Sequence, residues 1–131
     1  MITPQVVPSA VQRAELVAAL TGVTAPFDGN PVTITAHPSP PVAISPYDAW
    51  PVLIDARPIT LCLAEIDWLV IVALPAADAR STTDAGDALI GAVTAALMDA
   101  GDAKVTHIRP ARWISEDGGN GIPVWQFEIT K

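Results

Sequence analysis

Eight successive residues, Trp68-Leu69-Val70-Ile71-Val72-Ala73-Leu74-Pro75, carry no charge. A strand that is apolar on both faces has to lie in the middle of a sheet with cover on each side. That cover comes from helices or from a neighbouring subunit. An amphipathic helix is expected next. It should begin near Ser81-Thr82-Thr83-Asp84, where hydroxyls and a carboxylate suit a helix N-terminus, and stop at Ala100-Gly101. Its apolar face is Leu89, Ile90, Val93, Ala96, Leu97 and Ala100. Gly86 and Gly91 inside it each cost roughly 1 kcal/mol relative to alanine, so tertiary packing must hold the helix, with Gly91 allowing a close approach to the sheet. Two strands then form a hairpin. Val105 to Ile114 contains Pro110, which argues for a sheet edge or a bulge. Val124 to Thr130 alternates, with Trp125, Phe127 and Ile129 inward. Their connection, Ser115 to Gly121, is acidic, glycine-rich and too long for a tight turn.

Upstream, Pro8-Ser9 with Gln12 three residues later has capping-box spacing and predicts a helix ending at Thr21-Gly22. Val11, Ala14, Leu16, Val17, Ala18 and Leu20 would form its apolar face, leaving Gln12, Arg13 and Glu15 on the polar side. From 23 to 47 the chain is rich in proline. Only Val32 to Ala36 reads as a strand, and the rest as an arm or long loop that reaches a neighbouring subunit. Trp50 to Ala56 reads as a strand broken by Arg57-Pro58, and Ile59 to Glu65 as the next. The expected fold is therefore a single α+β domain over 1–131. It has a mixed or antiparallel sheet of about five strands flanked by two helices, in the order α-β-β-β-β-α-β-β.

Half of the 131 residues are hydrophobic, mean hydropathy is +0.39 and only 16% are charged. So little polar surface favours self-association, because oligomer interfaces are more apolar than free surface. The net charge of −7 argues against sequence-independent DNA binding, which depends on lysine and arginine at phosphates. It is compatible with DNA passing nearby, since an acidic wall repels phosphate. The lone Cys62 lies in an apolar run and reads as a buried structural thiol. The apolar run Trp68 to Ala77 is far shorter than the ~20 residues of a spanning helix, and the N-terminus lacks the pattern of a signal peptide. A cytoplasmic site of synthesis is expected.

No constellation of catalytic residues is legible. His37 lies among prolines and His107 shares a strand face with Arg109; neither has companions at metal-ligand spacing, so both read as isolated surface histidines. Asp78, Asp84 and Asp87 read as helix-capping carboxylates, and a calcium loop's alternating oxygens are missing. Gly118-Gly119-Asn120-Gly121 joins two strands and lacks the Gly-Lys-Ser/Thr of a phosphate loop. No cofactor, metal or catalytic residue is expected. Of the four tryptophans, Trp50 at a strand start is the best candidate for an interface anchor. Tyr47, Glu116 and Asp117 complete the candidate subunit or partner interface.

The helix Ser9–Leu20, the proline-rich bridge, the Trp68-to-Pro75 strand, the Asp87-Ala88-Leu89 helix with Leu97 to Gly101 at its end, and the strand with Val105 and Pro110 together resemble the tail terminator proteins of long-tailed bacteriophages. The likeness covers most of the chain and rests on pattern, since such proteins share hardly any invariant motif. It implies a structural protein of the virion, assembled in the host cytoplasm. Six copies would form a ring that caps the tail tube at its final length and presents a docking surface to the head connector. Its partners would be further copies of itself, the tail tube protein and the connector protein; DNA would pass through without specific binding, and no catalysis would occur. The proline-rich segment from Pro26 to Pro46 departs from the family pattern. Two alternatives are a phage neck or head-closure protein, and a small cytosolic ligand-binding domain or enzyme with a pocket between sheet and helix.

Overall fold

A computed structural model of the chain describes residues 9–27, 30–58, 64–75, 79–99, 103–114 and 121–131. The first element is helix α1, Ser9–Leu20. Its buried residues are Gln12, Leu16, Ala19 and Leu20, at the four-, seven- and eight-residue spacing of a single helical face. The expected stripe through Val11, Ala14 and Ala18 is instead exposed. Gln12 does not complete a capping box, because its Oε1 accepts a 3.0 Å bond from Trp68 Nε1 in the interior. The helix ends where expected. Gly22 has a φ of 76°, the left-handed conformation that lets a chain leave a helix.

The proline-rich segment contains more regular structure than its composition suggests. Strands β1 (Thr24–Phe27) and β2 (Asn30–Thr33) form an antiparallel hairpin in which Pro26 faces Pro31. The Ile34 N–H donates to the Val23 carbonyl, so ladder bonds fall on the 23/34 and 25/32 pairs. Both prolines then occupy a pair whose N–H groups would not enter the ladder, and their missing donors cost nothing there. Two further residues, Thr35–Ala36, form β3.

β4 (Asp48–Pro58) and β5 (Ala64–Ala73) form the central hairpin. Arg57 and Pro58 do not break β4; they pair with Glu65 and Ala64. Of the separate strand expected over 59–65, residues 59–63 lie outside the described residues and the last two belong to β5. Helix α2 runs Ala79–Asp99, starting before Ser81, and β6 (Lys104–Trp113) and β7 (Ile122–Thr130) close the fold. The larger sheet has five strands in the order β3-β4-β5-β7-β6. Only the β3–β4 pairing is parallel. The α+β class, the two helices and the mixed five-stranded sheet are as expected from the sequence.

β5 is central, as its unbroken apolar run demands, and its two faces have different cover. Ile66, Trp68, Val70 and Val72 join Leu16 and Leu20 of α1, Leu89, Val93 and Leu97 of α2, and Phe127 and Ile129 of β7 in the main core. Both helices therefore lie on one face of the sheet. On the other, Ile71 and Ala73 pack with Trp50, Val124 and the partly buried Ile44, Trp113 and Ile122. Gly91 is exposed with nothing within 4 Å of a Cβ built on it, so it makes no close approach to the sheet. β6 is an edge strand, as Pro110 required, but its bulge lies between Val105 and His107.

Candidate functional site

The face of the sheet away from the helices is the most distinctive surface of this fold, and its rows can be followed strand by strand. Asp55 pairs with Asp67, Asp67 with Thr130, and Thr130 with Lys104. The next row runs Val52, Leu69, Glu128, His107, and the one after it Trp50, Ile71, Gln126, Arg109. Residues directly opposite one another share a face, so each row crosses from the β4 side to a column of Lys104, His107 and Arg109 on β6. Thr130 Oγ1 donates to Asp67 Oδ1 at 2.9 Å. Glu128 lies between two neighbours on β6, 3.4 Å from Arg109 Nη2 and 3.9 Å from His107 Nδ1. His107 is exposed and on Arg109's face, as its sequence position implied.

At one end of this face Trp113 from the edge strand meets Trp50 from β4, ring centroids 5.3 Å apart and planes at 78°. The two rings reach across the intervening strands and shelter Ile71, Ala73 and Val124. Trp50 is thereby fully buried within the chain, which corrects its assignment as an exposed anchor for a partner. Its indole N–H is buried without a hydrogen-bond partner among the described residues. Towards the other end Val52 and Leu69 are half-buried and Ile54, at the β-bulge between Leu53 and Asp55, is exposed; Leu53, opposite Trp68, belongs to the helix-covered face.

A second constellation lies where the chain enters β4. Asp48, buried, accepts from the Ser45 N–H through Oδ2 at 2.8 Å, and its Oδ1 lies 3.0 Å from His37 Nε2. His37 is therefore a paired, half-buried group and not an isolated surface histidine. The Asp48 N–H donates to the Ser45 carbonyl, Pro46 follows Ser45, and Tyr47 has a φ of 70°. Proline second and a positive φ third are the type II turn pattern, with tyrosine where glycine or asparagine is usual. The conformation is held from both sides: the Tyr47 N–H donates to Ala73 and its carbonyl accepts from Thr35. Tyr47 is half-buried and packs against the main core. The sequence signal for this corner was Ser45-Pro46-Tyr47-Asp48, but nothing in it indicated that His37, eleven residues from Asp48, would close it.

A third contact links α1 to the start of the proline-rich loop. Arg13 Nη1 donates to the Pro38 carbonyl at 2.8 Å and the Pro51 carbonyl at 3.1 Å, and its guanidinium lies 5.0 Å from the centroid of a Trp68 ring. Past this contact the loop runs outward to Val42, which is fully exposed.

The other sequence candidates are not brought together. Asp87 is exposed on α2; Asp84 lies within α2 but its side chain, like Glu116, Asp117, Asp78, Cys62 and 118–120, is outside the described residues. Gly121 packs against Arg112, whose Nη1 donates to its carbonyl at 2.9 Å. Among the described residues no three histidine, cysteine or carboxylate groups come together as a metal site, and no helix is long and apolar enough to cross a membrane. In comparisons with known proteins, no family model matches the chain and no curated protein is similar to it in sequence.

Proposed function

We propose that this chain is a ring-forming structural protein of the phage tail terminator kind, capping a tail tube and offering a docking surface to the head connector. The observation that carries this reading is the one-sided sheet. Both helices cover one face, and the opposite face carries half-buried Val52 and Leu69, with Ile54 exposed at the adjoining bulge, in a chain of mean hydropathy +0.39. Apolar surface of this kind favours contact with further copies or with tube and connector. The order of elements, one helix, the strands, a long helix and a final hairpin, supports the same reading. In it the protein works through surfaces in the virion, and DNA passes through the ring unbound.

The test is to add the purified protein to tail tubes and image their ends. Rings at tube ends, with tubes held at one length, are expected. A protein that leaves the ends bare and the tubes extending overturns the reading. A second reading, a small ligand-binding domain, is favoured by one observation only, the His37–Asp48 pair beside the strained Tyr47.

A further inference from the structure

We propose that residues 39–44 of the proline-rich loop are a flap over a closed apolar site, in which the Trp50 indole N–H takes the oxygen of a neutral, apolar carbonyl compound. The inference goes beyond the ring reading and does not rest on it. Trp50 is fully buried, and its Nε1 has no hydrogen-bond partner among the described residues. Around it lie Ile71, Ala73 and Val124, all buried, with the partly buried Ile44 and Trp113 packed against them. None of these side chains can accept a hydrogen bond. A buried donor left unpaired is costly, and the equally buried Trp68 N–H does have its acceptor, Gln12 Oε1. For Trp50 the acceptor has to come from outside the cluster. The cluster holds no charged side chain, so an ionised ligand would lose its water there without gaining a counter-charge. A neutral oxygen on an apolar body meets both conditions.

The loop has fixed feet and a loosely held tip. At one foot the His37 N–H donates to the Ala49 carbonyl at 2.8 Å, and Arg13 Nη1 donates to the Pro38 carbonyl. At the other, two hydrogen bonds tie Ser45 to Asp48, and Tyr47 is held by Ala73 and Thr35. Between the feet, residues 39–44 make no backbone hydrogen bond among the described residues. Ser39, Pro40, Val42 and Ala43 are exposed, while Pro41 and Ile44 are half-buried. Of these six, Ile44 is the one that packs against the Trp50 cluster. Lifting the tip therefore gives up the Ile44 contact and no backbone hydrogen bond, with both feet still closed. A segment with so few buried contacts opens locally, well short of global unfolding.

The experiment follows the indole N–H resonances of the full chain by NMR, with Trp50→Phe assigning that of Trp50. The Trp68 N–H, buried and bonded to Gln12, is the internal standard. The Trp50 N–H should exchange with solvent at least about a hundredfold faster than the Trp68 N–H. Ile44→Ala should speed it about tenfold further, whereas Val42→Ala, at a fully exposed position, should leave it unchanged. The binding probes are methyl ketones from 2-butanone to 2-octanone. They should move the Trp50 resonance downfield to saturation and slow its exchange, binding about fourfold more tightly for each added methylene. Hexanoate, of similar length but charged, should not displace them. Urea unfolding of each variant separates local opening from a weakened fold. Exchange of the Trp50 N–H no faster than that of Trp68 overturns the flap. Fast exchange with no saturable shift from any ketone of the series overturns the site. Neither result touches the ring reading, which the imaging of tube ends decides.

Discussion

At Gly22 the backbone φ is +76°, so a Cβ there is strained although no atom lies within 4 Å of it. Gly91 is equally unobstructed but sits in the interior of α2 at an ordinary helical conformation. The same substitution should therefore act with opposite sign: Gly22→Ala should destabilise by about 1 kcal/mol and Gly91→Ala should stabilise by up to about 1 kcal/mol. Urea midpoints of the two variants check this directly. The tryptophans make a similar pair. Trp68→Phe removes the donor to Gln12 Oε1 and leaves a buried acceptor unpaired, while Trp50→Phe removes an N–H that has no partner among the described residues. Both lose comparable ring volume, so Trp68→Phe should be the more destabilising by about 1–2 kcal/mol in chemical denaturation. Equal losses would mean that the Gln12–Trp68 bond contributes nothing net. A buried glutamine is invisible to a pattern reading, since its place on the helix looks polar until a tryptophan 56 residues away supplies the donor.

Among the elements, α1 and β4 are joined through one side chain. Arg13 reaches the carbonyls of Pro38 and Pro51 and lies over Trp68, so it fastens the helix, the start of the proline-rich loop and the sheet together. Arg13→Met keeps much of the aliphatic stem but gives up both hydrogen bonds. Faster amide exchange over 39–47 is expected, with exchange in the core of β5 little changed. Asp48→Ala should loosen the other end of the same loop, because Ser45 loses its acceptor and His37 its partner; a cost of about 1–3 kcal/mol is expected by urea unfolding. The elements were legible in unequal measure. α1, β5, α2, β6 and β7 follow from periodicity and helix-ending glycine. The β1–β2 hairpin was missed because proline was read as excluding a ladder. Its cost depends on pairing register, and opposite Pro31 at a non-bonded pair Pro26 costs little.

For the whole molecule, the asymmetry of the sheet is the property that matters. Two helices cover one face, while the other is roofed at one end by Trp50 and Trp113 and bears charge at its margins. Trp113→Ala should open this roof, shift tryptophan emission to the red as Trp50 meets water, and destabilise by about 3 kcal/mol. Unchanged emission would show that the proline-rich loop covers Trp50 without help. The high hydropathy was readable at once and implied partners. Which residues would meet them was not, and Trp50, chosen for its size and its place at a strand start, is interior.

The sequence by itself determined the class of this protein. An apolar run needs cover on both faces, a 3.6-residue period needs a sheet to rest on, and a proline in a strand needs an edge; these are local demands that neighbouring residues state in full. Tertiary structure alone decided that both helices lie on one face, that Trp50 finds Trp113 across the sheet, that His37 closes on Asp48, and that Lys104 and Asp55 end one row at opposite sides. Each of these joins residues distant in sequence through strand order and register. Order and register are set by how the whole core packs, and no local pattern carries them.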